Sequence, residues 1–288
     1  MTVRIPRSAG IVVLYHPKLD ALQNILSWSE QIDRVYAVDN SEQQDSQFRD
    51  LLTGLDNLTY LPQEGNLGVA AALNIGAKRA ISEGYEWLLT MDQDSKATSG
   101  MVSEMLIAVQ PEGLEITGII SPFHATKAGM TPAADKAVED VLTVMTSGNL
   151  LNLNCYMTAG PFLDELFIDF VDNEYCLRLK SMGFRVVRVN TARLEHHLGD
   201  ITDHSWKGRI VSVSNHPPLR RYYMARNRFY ILEKYREIFP DYCKAEMEKF
   251  RGEIKGIFLF EKQKLEKLWM TLLGYLDYKR RIVGKYGH

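Results

Sequence analysis

The sequence predicts an α/β fold in which a mostly parallel sheet carries helices on both faces. Three features of the first hundred residues lead there. Short runs rich in β-branched residues recur, helical spacing fills the gaps between them, and the runs are apolar throughout rather than alternating, as strands buried on both faces are. "AGIVVLY" (9–15) is the first strand, ended by Pro17, and Leu19, Leu22, Ile25 and Leu26 then follow at helical spacing. "RVYAVDN" (34–40) is the second strand, Phe48, Leu51 and Leu52 mark a short helix, and "NLTYL" (57–61) is the third strand. The Ala-rich stretch 67–84 reads as a helix stopped by Gly84, and "EWLLTMD" (86–92) as a fourth strand.

Beyond residue 110 the pattern loosens. Strands are expected at 115–123, 141–152 and 185–189, with a mobile loop at 124–139 and a helix at 171–183. From Pro217 the chain reads as helical almost to its end.

Composition excludes several classes. The 288 residues carry 45% apolar and 24% charged side chains, ordinary for a globular protein. A formal net charge of −2 gives no basic signal, so no nucleic-acid partner is expected. Cys155, Cys176 and Cys243 show neither metal-ligand spacing nor an even count, which fits a reducing, cytoplasmic setting. No segment has the roughly 18 uninterrupted apolar residues of a spanning helix.

In open parallel sheets, ligands bind beyond the carboxyl ends of the strands. Those ends carry Tyr15-His16, Asp39-Asn40-Ser41 and Asp92-Gln93-Asp94-Ser95. No glycine-rich phosphate loop follows the first strand, which argues against dinucleotide-binding dehydrogenases and P-loop NTPases. The two carboxylates of "DQD" suit Mg²⁺ or Mn²⁺ with a diphosphate, although an isolated Asp-x-Asp is equally ordinary turn chemistry. Asp39 suits the imide N–H of a pyrimidine base, and Asp-Asn-Ser is also common loop chemistry. "EGNLGVAAALNIGAK" (64–78) sets small residues where backbone or ligand approaches closely. "DELFIDFVDNEYCLR" (164–178) sets acids among aromatics, which suits a raised pKa and general-base work as well as the start of a helix.

These motifs, together with "TSGNLLN", "HHLG" and "RRYYMARN" in that order, resemble the family 2 inverting glycosyltransferases of GT-A fold, closest to bacterial rhamnosyltransferases that use dTDP-rhamnose. The resemblance covers about residues 9–230 and implies a catalytic domain over 1–235 with a helical C-terminal extension over 236–288. It implies a dTDP- or UDP-sugar donor and a saccharide acceptor, lipid-linked or part of a cell-surface polysaccharide. Tyr15, Asp39, Asn66, Gly68, Asn74 and Asp92 would line the nucleotide pocket. Asp94, Asp92 and His197 would hold Mg²⁺ or Mn²⁺, and Ser147, Gly148, Arg221 and Arg226 would face the diphosphate or the acceptor. Asp172 falls at the general-base position. Many relatives have Glu-Asp where this chain has Val171-Asp172, so Glu174 stands as the acid that supports or replaces the missing one.

Other readings remain open at this point: another UDP- or dTDP-sugar, a nucleotidyltransferase, or a non-catalytic nucleotide-sugar binding module. The C-terminal end has Leu265, Leu268, Trp269, Leu272 and Leu273 at helical spacing, followed by Lys279, Arg280, Arg281 and Lys285. Such an end packs on the catalytic domain, pairs with a second copy in a homodimer, or rests on the inner face of an anionic membrane.

Overall fold

The computed structural model describes residues 6–109, 113–125, 136–196, 202–206 and 209–287. The chain divides into two compact units, Met1–Asp164 with Tyr175–His197, and Glu165–Glu174 with Leu198–His288.

In the first unit strand and helix alternate as expected: β1 (Ser8–Leu14), α1 (Asp20–Ser29), β2 (Arg34–Asp39), α2 (Ser46–Thr53), β3 (Leu58–Pro62), α3 (Val69–Ser82) and β4 (Trp87–Asp92). The rest is β5 (Ser95–Ala97), α4 (Met101–Val109), β6 (Thr117–Ala125), β7 (Val138–Asp140), β8 (Asn149–Asn152), α5 (Leu153–Ala159), α6 (Val171–Ser181) and β9 (Arg185–His196). The first turn of α6 belongs to the second unit. The sheet runs β3-β2-β1-β4-β8-β6-β9-β5, with β7 also paired to β9. β1, β2, β3, β4, β6 and β9 run in one direction, and β8, β5 and β7 run against them.

Adjacent residues of β1 explain why helices cover both faces. A Cβ on Gly10 would stand 2.8 Å from the Trp28 ring of α1, whereas Ile11 presses its Cδ1 to within 2.3 Å of where a Cβ on Gly76 of α3 would be. Successive strand side chains point to opposite faces, so each helix closes over one of them. The Ala-rich sequence of α3 serves this approach, with Ala70, Ala72, Leu73 and Ala77 all buried. Asp45 caps α2 by accepting from the Gln47 and Phe48 amides, and Asn152 caps α5 from Asn154 and Cys155.

Three expectations change. The buried face of α1 is Ala21, Ile25 and Trp28, while Leu19 and Leu26 are exposed. The strand expected over 141–152 shrinks to Asn149–Asn152, because Gly148 at φ 84° and a Thr90 Oγ1 bond to the Thr146 carbonyl (2.6 Å) turn the chain under the end of β4. Of the loop expected at 124–139, residues 126–135 lie outside the described residues, and its two ends are β6 and β7.

The second unit holds an antiparallel hairpin, β10 (Thr202–Trp206) and β11 (Arg209–Val213), then α7 (Pro218–Tyr235), α8 (Pro240–Leu259) and α9 (Lys264–Lys279). The helical tail is therefore three helices, interrupted before Pro240 and at Gln263, whose φ is 54°. Their interior is unusually charged. Arg228 is 1% exposed, with Glu246 at 3.2 Å and both Glu253 oxygens at 2.8 and 3.0 Å. Its guanidinium lies 5.2 Å from the ring centres of Phe170 and Phe250. Buried charges survive only when paired in this way.

α9 meets α7 at Gly274, where an added Cβ would stand 2.3 Å from the Tyr222 carbonyl oxygen, a backbone atom that cannot swing aside. Gly274→Ala should therefore destabilise the protein by about 1–3 kcal/mol through overpacking. Gly252→Ala on α8, where nothing lies within 4 Å, should be neutral or stabilising. Urea unfolding checks both, and equal midpoints for the two variants would contradict the close α7–α9 contact.

Candidate active site

Sheet register brings two acids to one end of the first unit. Leu14 pairs with Asp39 on one side of β1, and Val13 pairs with Asp92 on the other. At the usual strand spacing their backbones lie about 10 Å apart across β1.

Asp39 is 1% exposed. Its Oδ2 accepts the Tyr60 hydroxyl at 2.6 Å and its Oδ1 the Ser41 amide at 2.9 Å. Burial, then the bond to Asp39, pushes the Tyr60 hydroxyl above its ordinary range, so it remains a donor. Each Asp39 oxygen retains a second lone pair. Beside it Asn40 donates to the Gly68 carbonyl at 2.9 Å, and its own Oδ1 is buried without a hydrogen-bond partner among the described residues. Asn66 Oδ1 accepts the Gly68 amide at 2.9 Å, and Gly68 opens α3 at φ 88°, a conformation that favours glycine. These residues form one cluster around the end of β2.

Asn74 takes a different part. Its amide donates to the Phe162 carbonyl and Asp164 Oδ1, and accepts from the Tyr156 hydroxyl and the Phe162 amide, all at 2.7–2.9 Å. With donors and acceptor engaged inside the chain, it anchors residues 156–164 to α3 rather than lining a pocket.

At the end of β4 the turn 93–94 sets Asp92 half-buried and Asp94 exposed. Gln93, between them, was invisible as a functional residue in the sequence. Its side chain accepts the Tyr15 amide at 2.9 Å and donates to the Tyr15 carbonyl at 3.2 Å, and Asn24 donates to its backbone carbonyl. It fastens the acidic turn to the end of β1. The exposed Tyr15 ring reaches Glu42 through its hydroxyl at 3.4 Å. Ser147 is buried beneath: its Oγ accepts the Asp92 amide at 3.0 Å and donates to Ser95 Oγ at 2.8 Å, while His124 Nε2 donates to its carbonyl. Gly148 donates to the Thr90 carbonyl at 2.7 Å, and a Cβ there would meet Pro122 at 2.8 Å. Ser147 and Gly148 thus hold the acidic turn from below.

Among the described residues no group of three or more His, Cys, Asp or Glu gathers as a metal cage, and His197 lies outside them. The donor chemistry still fits a hard cation. Mg²⁺ and Mn²⁺ sites are commonly made of one or two carboxylates with substrate phosphate and water completing the shell, and Asp92 and Asp94 offer such oxygens on one turn.

In the second unit the candidate bases separate clearly. Glu174 is fully buried, and its Oε1 accepts Lys234 Nζ at 2.7 Å and the Tyr235 hydroxyl at 3.0 Å. A sealed carboxylate held by a cation is suited to tying α6 to α7, not to receiving a proton from a substrate. Asp172 is half-buried in the first turn of α6, where its Oδ1 accepts the Asn173 amide at 2.8 Å.

The segment leading to Asp172 is strained. Phe167, Asp169 and Phe170 adopt φ of 64°, 62° and 63°, left-handed conformations that cost such residues roughly 1–3 kcal/mol each. α7 compensates. Asn227 donates to the carbonyls of Leu166, Ile168 and Asp169 at 2.7–2.9 Å. Arg226, 1% exposed, donates to the carbonyls of Glu165, Leu166 and Gly284. Arg220 forks onto Asp169 at 3.0–3.2 Å, opposing the burial that pushes the Asp169 carboxyl up. Arg221 is 3% exposed, with Glu261 Oε1 at 2.5 Å. The two arginines expected at a diphosphate are therefore turned inward: Arg226 clamps the segment leading to Asp172 and Arg221 pairs with a buried glutamate.

Comparisons agree with this architecture. Residues 17–136 match the family model for glycosyl transferase family 2. The chain is 27% identical over 247 residues to the dTDP-rhamnosyl transferase RfbF of Shigella flexneri, covering 78% of this chain and 79% of that protein. Its fold is similar to that of S. aureus TarS 1–349 in complex with UDP-GlcNAc, at TM-score 0.61 and 14% identity over 96% of this chain and 81% of that one. It is also similar to GalNAc-T7 with UDP, GalNAc and Mn²⁺, at TM-score 0.59 and 13% identity, covering 85% of this chain and 54% of that chain. The sheet with its strand-end acids is a GT-A fold, and residues 17–136 carry the chain's likeness to glycosyl transferase family 2.

Proposed function

We propose that this glycosyltransferase moves L-rhamnose from dTDP-rhamnose to a hydroxyl of a saccharide acceptor, part of a cell-surface polysaccharide or a lipid-linked oligosaccharide, with inversion at the anomeric carbon. The observation that carries a nucleotide-diphosphate donor is the placement of Asp39 and the Asp92–Asp94 turn on either side of the end of β1. The choice of dTDP-rhamnose rests on the likeness to the Shigella flexneri rhamnosyl transferase. Residues 1–235 carry the reaction in this reading and 236–288 are an appended extension.

Asp39 accepts the imide N–H of the pyrimidine through a lone pair that Tyr60 and Ser41 leave open. Asp94, with Asp92 assisting, holds Mg²⁺ or Mn²⁺ against the donor diphosphate. Bound there, a divalent ion would supply Lewis-acid charge that stabilises the nucleoside diphosphate leaving group. Asp172 removes the proton from the acceptor hydroxyl as its oxygen attacks the anomeric carbon. One displacement inverts the centre, so no covalent nucleophile is required.

Calorimetry should show dTDP or UDP binding more tightly than GDP, with Asp39→Ala weakening dTDP by about 1–3 kcal/mol, the scale of a hydrogen bond to a charged group. Equal or tighter GDP binding would remove the base assignment. Asp94→Asn should weaken dTDP binding only when Mg²⁺ or Mn²⁺ is present. Wild-type behaviour of that variant, or indifference of turnover to EDTA, argues the other way. Asp172→Asn should preserve dTDP binding and lower sugar transfer roughly 10²–10⁴-fold. Glu174→Gln should instead lower the melting temperature, because the buried side chain loses its charged hydrogen bonds to Lys234 and the Tyr235 hydroxyl. If Glu174→Gln abolished transfer at an unchanged melting temperature while Asp172→Asn stayed active, the base would be Glu174.

A further inference from the structure

The last helix is built inside out. Lys267, Thr271, Gly274 and Tyr278, spaced i, i+4, i+7 and i+11, form its buried face. There Lys267 Nζ donates to Glu261 at 2.7 Å, and the buried Asp277 accepts the Tyr222 hydroxyl at 2.8 Å. Leu265, Trp269, Leu272 and Leu276 follow the same spacing two residues earlier, about 200° around a helix. The first three are 86%, 59% and 47% exposed. Just before the turn into α9, Phe258 and Leu259 at the end of α8 are 65% and 39% exposed. Single exposed leucines are ordinary, but a contiguous aromatic and aliphatic stripe opposite a polar buried face marks a surface that something covers.

The charge around the stripe identifies what covers it. Residues 255–285 carry eight Lys and Arg against three Asp and Glu, in a chain whose formal net charge is −2. Two of those three acids, Glu261 and Asp277, are buried. Lys255, Lys262, Lys264, Lys279, Arg280 and Lys285 are exposed. An isologous contact between two copies would set this basic rim against itself. An anionic lipid surface complements it, and a tryptophan among leucines with lysines alongside is the composition of helices lying in the membrane interface. No helix among the described residues is long and apolar enough to cross a membrane.

We infer that the exposed face of α9, with the end of α8, docks the protein on an anionic bilayer surface, Trp269 entering the headgroup region and the lysines meeting lipid phosphates. This stands apart from the proposed sugar transfer and is tested without it. The full chain should co-sediment with phosphatidylglycerol vesicles and not with phosphatidylcholine vesicles. Binding should fall as salt rises from about 50 to 500 mM, where screening shortens to a few ångströms. Leu265→Ser/Trp269→Ser should lower the vesicle partition coefficient at least tenfold at an unchanged melting temperature. Lys262→Glu/Lys264→Glu, at exposed positions, should do the same and serves as the second arm should the first variant misfold. Absence of binding to the anionic vesicles at low salt, equal binding to both lipids, or parental binding by the lysine variant would overturn the inference. So would a self-associated parent that ignores vesicles and that Leu265→Ser/Trp269→Ser converts to a monomer, since a second copy would then cover the stripe.

Discussion

A strand buried on both faces has nowhere to present chemistry except its ends. β1 meets that constraint through neighbouring residues: the Gly10 side is closed by Trp28, and Ile11 reaches into the space left by Gly76. Once both faces are closed, the polar side chains of β2 and β4 are usable only where those strands emerge. The register with β1 then brings Asp39 and Asp92 out at nearly the same level. Tight helix–sheet packing and the position of the acids are two consequences of one arrangement. A glycine in a strand and a glycine in a helix are the residues that permit it.

Like charges at a strand end need a backbone that is held in place. The first unit does this with neutral groups. Ser147 takes the Asp92 amide, Gln93 binds both backbone groups of Tyr15, and Tyr60 and Ser41 share the Asp39 oxygens. These partners are uncharged hydroxyl, amide and backbone groups. The second unit does the opposite. Glu174, Glu253 and Glu261 are each matched with a cation, the exposed Lys234 or the buried Arg228 and Arg221. Those pairs fix geometry and have no charge left to offer. Asp172, in the first turn of α6, is half-buried and accepts a backbone amide, whereas Glu174 two residues later is fully buried.

The early part of the fold was legible because each element there has a local signature. Apolar β-branched runs and Ala-rich helical spacing survive without tertiary context. Where tertiary hydrogen bonds set the backbone, the pattern failed. The segment 141–148 reads as a strand by composition, yet it turns to deliver Ser147 to Asp92. The acidic strand ends were legible as motifs, but Gln93, Tyr60 and Asn40 were not, because their work consists of contacts with residues far away in sequence. The internal contacts of Arg221 and Arg226 were hidden for the same reason. Arginines in an "RRYYMARN" run look like phosphate ligands, and only packing shows that Arg226 binds carbonyls of a left-handed segment.

That left-handed segment joins local strain to the position of Asp172. Phe167, Asp169 and Phe170 hold conformations they would abandon in isolation, and the carbonyls so exposed need donors. Asn227 and Arg226 supply them from successive positions on α7, so the helix following β11 fixes the backbone from which α6 begins. The link is mechanical: α6 starts where the strained turn ends, and its first turn carries Asp172. The stretch Arg226–Arg228 thus combines two jobs. Arg226 and Asn227 hold the turn, and Arg228, under the Phe170 ring, ties it to α8 through Glu246 and Glu253. A substitution in this stretch acts on the first turn of α6 through backbone position, and for that reason the buried arginines belong to the construction of the segment that carries Asp172.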